Sequence, residues 1–281
     1  MAGRVIRLTR VELLKLAGHP FFPFAVVLLA AATLLGAWAF EPKTEVWRRP
    51  HALLMFAWGA KAGLKMASFL LVIFGSLSFA GEFDKGTIKL LLTRPVTRTD
   101  IFLAKSLSGL VLAVVFIAGV LALSFGFGCL KGELGPVWDS EQYVTFTNAD
   151  DLADHATRAV GSCVGGVVAA MFLGIVISTL VESSGFAVAT ALTLFIGMDL
   201  GLGFLREEQA FYMFGWYPSQ ALDILRSYAE GSSGRGWRSP IGQQVSLALF
   251  TLPVAVAVPA AWSLACGAVG YLRFRVRNIL A

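Results

Sequence analysis

The chain has 281 residues, of which 57% are hydrophobic and only 15% are charged, and its mean hydropathy is +0.72. Soluble domains average about 25% charged residues, spread along the chain because each helix or sheet keeps a wet face. Here the charges lie in clusters between long uncharged runs, and the three cysteines are an odd number. These features exclude a soluble enzyme, a disulfide scaffold and a disordered tail protein. The net charge of +5 fits basic cytoplasmic loops better than a nucleic-acid surface, so no nucleic-acid partner is expected.

Six uncharged runs approach the roughly 20 residues that a helix needs to cross a hydrocarbon core. They are Phe21–Phe40, Met66–Gly81, Ser106–Leu130, Ala159–Val181, Ser183–Met198 and Ser239–Leu272. The second can begin near Leu53 if two lysines are tolerated, and the fifth can continue to Leu205. The runs are apolar on every side, which favours helices over the alternating strands of a barrel. The sequence therefore predicts an all-α integral membrane protein with six transmembrane helices in a single domain, residues 1–281.

Lysine and arginine distinguish the two sides of the membrane, because they accumulate in cytoplasmic loops. Both ends of the chain and the loop after the second run are basic, so both termini are predicted to be cytoplasmic. Residues 131–158, which are rich in carboxylates, and residues 206–238 are predicted to be extracytoplasmic loops. The first loop, with Lys43 and Arg48, is an exception to this pattern. Residues 1–20 are predicted to form an amphipathic helix along the inner surface of the membrane.

The loop between the second and third runs, residues 82–100, carries the most information. Apolar side chains at i, i+3 and i+4 predict a short helix with one apolar and one basic face. The apolar residues are Ile88, Leu91 and Leu92, and the basic ones are Lys85 and Lys89. Gly86 permits a sharp turn before this helix, and Arg94-Pro95 ends it. A capping box of Thr97 and Asp100 then starts the third span. Such a helix, held between two spans, suits docking against another protein.

The same loop resembles the hallmark segment of the type-2 ABC transporter permeases, the ABC-2 superfamily. In that family the second span is followed by glycine-glutamate, glycine-threonine, a leucine-rich turn, proline-valine-x-arginine and a later lysine. The matching residues are Gly81-Glu82, Gly86-Thr87, Leu90-Leu91-Leu92, Pro95-Val96-Thr97-Arg98 and Lys105. This local match covers about a tenth of the chain. The six-span layout and the basic N-terminal helix extend the resemblance to nearly the whole length.

The resemblance implies a permease that pairs with a second permease subunit, identical or different, and with two cytoplasmic ATPase subunits. It implies export of an unidentified substrate across a prokaryotic cytoplasmic membrane by alternating access. ATP and Mg²⁺ are expected in the partner ATPase, because this chain lacks a glycine-rich phosphate loop ending in Gly-Lys-Ser or Gly-Lys-Thr. No cofactor, catalytic residue or metal-binding residue is therefore expected in the chain itself, which is predicted not to be an enzyme.

In this family the segment after the second span is a coupling helix that sits in a cleft of the ATPase. The resemblance assigns ATPase coupling to Glu82, Gly86, Thr87, Arg94, Pro95 and Arg98. The alternative is a plain solvated loop, but such a loop would not need this order of glycine, threonine and proline.

Small side chains recur every four residues on the fourth run, and such a face lets helix backbones approach closely within a membrane. The residues of this small-residue stripe are Ser162, Gly166, Ala170, Gly174 and Ser178. Packing inside the subunit is favoured over packing across a dimer, and both interpretations stay open.

Three charged residues lie in or beside the predicted spans, where ionisable groups often mark a transport path. Lys61 and Lys65 are one helical turn apart before the second run, and Asp199 lies near the outer end of the fifth. They are predicted to contribute to a substrate pathway, which a lysine pair would suit for an anion. The favoured alternative is that the lysines reach the outer membrane interface by snorkelling or lie on a surface helix, and that Asp199 is an interfacial carboxylate.

Two other classes of membrane protein are possible from the sequence. An intramembrane enzyme needs a nucleophile with a base, or a metal cluster facing the bundle interior. The three histidines, His19, His51 and His155, lie outside the confident spans and far apart, which disfavours that class. A passive channel or an assembly anchor would not need the docking loop and would not depend on an ATPase.

Overall fold

The computed structural model describes residues 2–39, 52–87, 96–132, 137–138, 145–147, 149–205, 212–218 and 252–277. Its helices are α1 (Ala2–Ala17), α2 (Phe21–Trp38), α3 (Ala52–Asp84), α4 (Arg98–Lys131), α5 (Ala149–Leu180), α6 (Ser184–Leu202) and α7 (Leu252–Val276). A 3₁₀ turn spans Phe214–Trp216. Two short strands, β1 (Val137–Trp138) and β2 (Thr145–Thr147), pair antiparallel.

Within these residues, the six helices α2 to α7 are long and apolar enough to cross a membrane. The prediction of an all-α integral membrane protein with six spans is therefore confirmed. The β1–β2 pair does not change the class, because it is a small ladder inside residues 131–158, the predicted extracytoplasmic loop. The helix α1 precedes the first span, and its position along the inner surface of the membrane stays a prediction.

Helix α4 begins at Arg98, eight positions before the apolar run that predicted it. The capping box is present: the Asp100 amide donates to the Thr97 hydroxyl over 3.2 Å, and the Thr97 amide donates to the Asp100 carboxylate over 3.1 Å. These two bonds satisfy amides that would otherwise lack partners at the helix start. The predicted cap is confirmed, and the charged residues between the cap and the apolar run belong to the helix.

Helix α5 also begins earlier than the apolar run, at Ala149 rather than Ala159. Asp150, Asp151 and Asp154 fall in its first two turns. Some of the acidic residues that led to the prediction of a loop therefore lie at the start of a helix. With 32 residues, α5 is about 48 Å long and exceeds the hydrocarbon thickness.

Helix α3 is at the centre of the bundle, where it packs against α2, α4, α5 and α6. Its buried side chains, which include Ala60, Leu64, Ala67 and Leu71, join the main core cluster. The outer helices α2, α6 and α7 instead direct many apolar side chains outward, such as Val27 and Leu264. That arrangement is expected for a bundle whose surrounding medium is lipid.

The backbones of α3 and α5 approach each other closely at a pair of glycines. A Cβ atom added to Gly174 would lie 2.4 Å from the Val72 carbonyl oxygen, and one added to Gly75 would lie 2.6 Å from the Met171 carbonyl oxygen. Gly174 belongs to the small-residue stripe, whose five members are all buried. Farther along the stripe, Gly166 faces the 212–218 segment instead. Two members of the stripe, Gly166 and Gly174, thus face other parts of the same chain.

Replacing Gly174 by leucine should prevent the close approach of α3 and α5, because the neighbours of Gly174 are backbone atoms that cannot move aside. We expect Gly174→Leu to lower the free energy of unfolding by about 3 kcal/mol or more, the upper range for overpacking. The measurement is thermal unfolding of the purified protein in detergent. Gly197→Leu is the matched control, because a Cβ atom on that α6 glycine meets no atom within 4 Å. Equal melting temperatures for the two variants would contradict the close-packing role of Gly174.

Candidate functional site

Four charged side chains from three helices meet at one end of the bundle. Glu12 and Lys15 come from α1, Glu82 from the last turn of α3, and Lys105 from the second turn of α4. The Lys15 ammonium lies 3.0 Å from Glu12 and 3.1 Å from Glu82, and the Lys105 ammonium lies 3.1 Å from each of the same carboxylates. We call these four residues the ion cluster, and their formal charges sum to zero.

Lys105 is the most buried member of the ion cluster, with its side chain 2% exposed. Its ammonium also donates to the Ser78 carbonyl oxygen over 2.7 Å and lies 5.4 Å from the Phe79 ring centroid. The ammonium thus donates to the Glu12 carboxylate and to this carbonyl, and Glu82 adds an ion pair at 3.1 Å. A buried charge is tolerated only when it is paired and hydrogen-bonded in this way. Lys105 therefore holds α1 and the end of α3 against α4.

The ion cluster shifts the pKa values of the two α1 residues. Burial raises the pKa of Glu12, but the charges of Lys105 and Lys15 outweigh it and bring the pKa below the ordinary 4.5. Burial lowers the pKa of Lys15, but the charges of Glu82 and Glu12 outweigh it and bring the pKa above 10.5. The stabilisation from Glu12 is present above pH 4.5 and is lost as the pH falls through its lowered pKa. The stabilisation from Lys15 is present below pH 10.5 and is lost as the pH rises through the raised pKa of Lys15.

The chain leaves α3 through a tight turn. Gly86 has a φ of +66°, a left-handed conformation that glycine adopts at little cost, and its amide donates to the Phe83 carbonyl oxygen over 3.0 Å. Thr87 is exposed, and its hydroxyl donates to the Glu82 carbonyl oxygen over 3.4 Å. Before the turn, Asp84 accepts a hydrogen bond from the Ser184 hydroxyl over 2.5 Å. These contacts fix the direction in which the predicted coupling segment, residues 82–100, departs from the bundle.

The chain returns at Arg98, whose guanidinium points toward the end of α7. One of its nitrogens, Nη1, donates to the carbonyl oxygens of Phe274, Arg275 and Arg277 over 3.2, 2.9 and 2.7 Å. The last carbonyls of a helix lack partners within it, and a cation near them is favoured by the helix dipole. Arg98 thus caps α7 and ties the start of α4 to it. The hydroxyl groups of Thr99 and Tyr271 add a 3.1 Å contact between the same helices.

Arg277, which follows α7, makes a second connection of this kind. Its guanidinium donates to the Thr179 carbonyl oxygen over 2.9 Å and to the Glu182 carboxylate over 2.7 Å. The same group lies 4.1 Å from the Phe83 ring centroid, a cation–π contact. The two arginines, Arg98 and Arg277, form what we call the arginine interlock. It joins the ends of α3, α4, α5 and α7.

The structure describes four of the six residues that the resemblance assigned to coupling: Glu82, Gly86 and Thr87 lie at the end of α3, and Arg98 lies against the end of α7. Arg94 and Pro95 lie outside the described residues, as does the predicted apolar face of the segment. The Glu82 side chain is only 13% exposed and its carboxylate bonds within the chain. Its Oε2 atom is buried and has no hydrogen-bond partner in the described part of the chain.

The sequence did not reveal the partners of Lys105 or the role of Arg277. Lys105 was only the last residue of the motif, and Arg277 was one of several basic residues at the C-terminal end. A cation close to a helix end is a local signal for capping. In the interlock, however, each arginine reaches a helix that is far away in sequence.

Lys65 and Asp199 form an ion pair between α3 and α6. The Lys65 ammonium also lies 5.9 Å from the Phe195 ring centroid, and both charged side chains are partly buried. Lys61 lies one turn earlier on α3 and is partly buried as well. Seventeen positions of α3 separate Lys65 from Glu82, which is about 26 Å along the helix. This pair is therefore distinct from the ion cluster.

Substitution of Lys105 should test whether the ion cluster depends on the buried ammonium. We expect Lys105→Met to lower the free energy of unfolding by about 3–5 kcal/mol, because two carboxylates would remain with a single lysine. Lys15→Met is the matched control and should cost at most about 1 kcal/mol, because its side chain is half exposed. Thermal unfolding in detergent at neutral pH measures both. Equal losses would show that Lys105 has no special role in the cluster.

Comparison with protein families places these features in a known group. The chain matches the sequence profile of an ABC-2 family transporter protein over residues 8–201, which extends from α1 to the end of α6. The matched region contains the ion cluster, the turn at Gly86 and Arg98. A search of curated proteins found no match to the chain. The profile covers more than half of the chain, and the protein therefore belongs to the ABC-2 family of transporter proteins, as a multi-pass membrane permease.

Proposed function

We propose that this permease is the membrane subunit of an exporter in a prokaryotic cytoplasmic membrane. In this proposal it pairs with a second permease subunit and is driven by two cytoplasmic ATPase subunits, which bind ATP and Mg²⁺. The family membership supports the transporter class. The basic residues support the orientation, because Lys15, Lys85, Arg98 and Arg277 all lie at the bundle end where the coupling segment departs. That end would face the cytoplasm and the ATPase.

The observation that carries the proposal is the anchoring of the coupling segment at both of its ends. Where the segment leaves α3, Glu82 ties it to α1 and α4 through the ion cluster. Where the segment enters α4, Arg98 ties it to α7, and Arg277 connects α7 to α3 and α5. A force on the segment would therefore act on five helices together. A plain solvated loop would not need such connections.

The driving force would come from a difference in how the ATPase binds two positions of the segment. A ligand shifts a conformational equilibrium only by its difference in affinity for the two states. ATP-dependent closure of the ATPase pair would favour one position, and the anchors would transfer the displacement to the spans. This is the mechanism that we propose for the alternation between inward-facing and outward-facing states.

The geometry divides the proposed coupling residues into two groups. Glu82 and Arg98 would act as positioning residues, because their charged groups bind inside the chain. Gly86 would set the turn. Lys85 and Thr87 are exposed and would be available for contact with the ATPase. Arg94 and Pro95, which lie outside the described residues, stay proposed coupling residues. The resemblance assigned all six residues to coupling, and this proposal adds a separate role for each group.

The Lys65–Asp199 pair is our candidate for part of the substrate pathway. Ionisable residues within spans are costly and mark function more often than structure. The pair joins α3, which carries the coupling segment at its other end, to α6. A relative movement of these helices would separate the two charges and expose an ammonium that could attract an anionic group.

Substitution of Gly86 tests the coupling proposal. Proline fixes φ near −65° and has no amide proton. The Gly86→Pro variant therefore cannot adopt the +66° conformation, and it cannot donate the hydrogen bond to the Phe83 carbonyl oxygen. Asparagine tolerates the left-handed conformation and is the matched control. We expect the ATPase that co-purifies with the Gly86→Pro permease to lose its permease-dependent ATP hydrolysis in proteoliposomes, while Gly86→Asn retains most of it. Equal hydrolysis by both well-inserted variants would contradict coupling through this turn.

Substitution of Arg98 tests whether this residue positions the segment. We expect Arg98→Gln to increase hydrogen exchange in the last turn of α7 and to lower permease-dependent ATP hydrolysis, while the ATPase still co-purifies. Arg273→Gln is the control, because that exposed arginine lies in the same turn of α7. If Arg98→Gln instead loses ATPase binding while hydrogen exchange in α7 is unchanged, Arg98 contacts the ATPase directly and does not position the segment.

A further inference from the structure

The outward side of α1 combines arginines with exposed apolar side chains. Ile6, Arg10 and Leu14 recur every four residues and form one column along the helix. Arg7 and Val11 form the neighbouring column. Ile6 is 63% exposed, Val11 48% and Leu14 65%. Arg7 and Arg10 are exposed as well, and neither forms an ion pair within the part of the chain that the structure describes. We call these five residues the α1 face.

The α1 face carries two positive charges and no negative one. Glu12 is the single carboxylate of α1, and it lies on the opposite side of the helix, where it binds Lys15 and Lys105 in the ion cluster. Arg4, which is exposed one turn before Arg7, adds a third positive charge beside the face. A surface of this charge fits an anionic partner, and its apolar side chains fit a partner that also offers a hydrocarbon phase.

The contacts of α1 place this helix at the level of the bilayer surface. The Thr9 hydroxyl lies 3.5 Å from the carbonyl oxygen of Ala104, two residues before the apolar run of α4 begins. The Lys15 ammonium lies 3.1 Å from Glu82, the residue that follows the apolar run of α3. Apolar runs end where the hydrocarbon core ends, so both contacts lie at headgroup depth. Two contacts at one depth, six residues apart on α1, favour a course along the membrane surface.

We propose that the α1 face binds the anionic headgroup layer of the membrane, with lipid phosphates at Arg7 and Arg10. Its three apolar side chains then lie among the first acyl carbons. A guanidinium offers paired donors that match phosphate oxygens, and its apolar stem can lie along lipid while the charge stays among the headgroups. The inner leaflet is the partner in the orientation proposed above. The binding itself does not depend on an ATPase.

The opposite side of α1 gives this binding a consequence for the ion cluster. Glu12 and Lys15 are two of the four members of the cluster, so a lipid layer that holds α1 also holds these side chains beside Glu82 and Lys105. A partner that binds only the folded arrangement stabilises that arrangement. Anionic lipid therefore stabilises the end of α3, where the coupling segment departs.

The first experiment measures lipid contact with the full chain in vesicles of mixed phosphatidylglycerol and phosphatidylcholine. A trace of one lipid or the other carries a photoreactive group near the ester end of an acyl chain. We expect phosphatidylglycerol to label α1 peptides at least about fivefold more than phosphatidylcholine, the contribution of one basic residue at an anionic surface. Arg7→Gln combined with Arg10→Gln should bring the two lipids to equal labelling. Arg7→Lys combined with Arg10→Lys should keep most of the preference, because the charge is retained.

The matched control removes two other exposed arginines from the same end of the bundle. Arg273→Gln combined with Arg275→Gln lowers the net charge by the same amount, but it changes α7. This pair should leave the lipid preference at α1 unchanged. An equal loss of preference in the control would show that only net charge matters and would overturn the site.

Hydrogen exchange of the permease without an ATPase tests the stabilisation. The amides of α1 and of the last turns of α3 should exchange more slowly in phosphatidylglycerol vesicles than in phosphatidylcholine vesicles, and the two glutamine substitutions in α1 should remove this difference. Equal exchange in both lipids would contradict the stabilisation, and equal labelling of α1 by both lipids would contradict the binding. Protection of α1 that appears only after an ATPase is added, in either lipid, would assign the face to that protein and overturn the proposal.

Discussion

The basic end of the bundle depends on one buried ammonium, that of Lys105. A lysine almost completely removed from solvent is stable only with several acceptors, and here Glu12, Glu82 and the Ser78 carbonyl oxygen provide them. Each acceptor belongs to a helix other than the one that carries the lysine. The need to pair this charge therefore brings α1 and the end of α3 against α4. The turn at Gly86 begins four residues after Glu82, at the end of α3 that this junction holds.

The same end shows how positive charges can serve two purposes in a membrane protein. Arginine and lysine fix the orientation of the chain in the membrane because they resist translocation. In this bundle Arg98 and Arg277 also satisfy carbonyl groups at helix ends and bind one helix to another. In our proposal this second role lets a short segment act on five helices at once. The surface that meets the ATPase is then separate from the residues that carry the displacement inward.

The sequence predicted what local patterns determine and missed what depends on distant partners. Apolar runs located the six spans, and the reciprocal bonds of Thr97 and Asp100 follow from residues three apart. Lys65 and Asp199 were each recognised as costly charges, but their pairing depends on how α3 packs against α6. Glu82 was recognised through its motif, yet nothing near it in sequence indicates that its carboxylate turns inward. Helix starts were also misplaced, because charged residues in a first turn have the composition of a loop.

The interlock has a consequence for the biogenesis of the protein. Arg98 donates to carbonyl groups that lie 176 to 179 positions later in the chain. At ordinary translation speeds of 5–20 residues per second, roughly 10–40 s separate the synthesis of the arginine from that of its acceptors. Until then, the start of α4 lacks this attachment. The nascent protein therefore completes its basic end only when α7 has joined the bundle, so a prematurely terminated chain would insert its earlier helices without acquiring this junction.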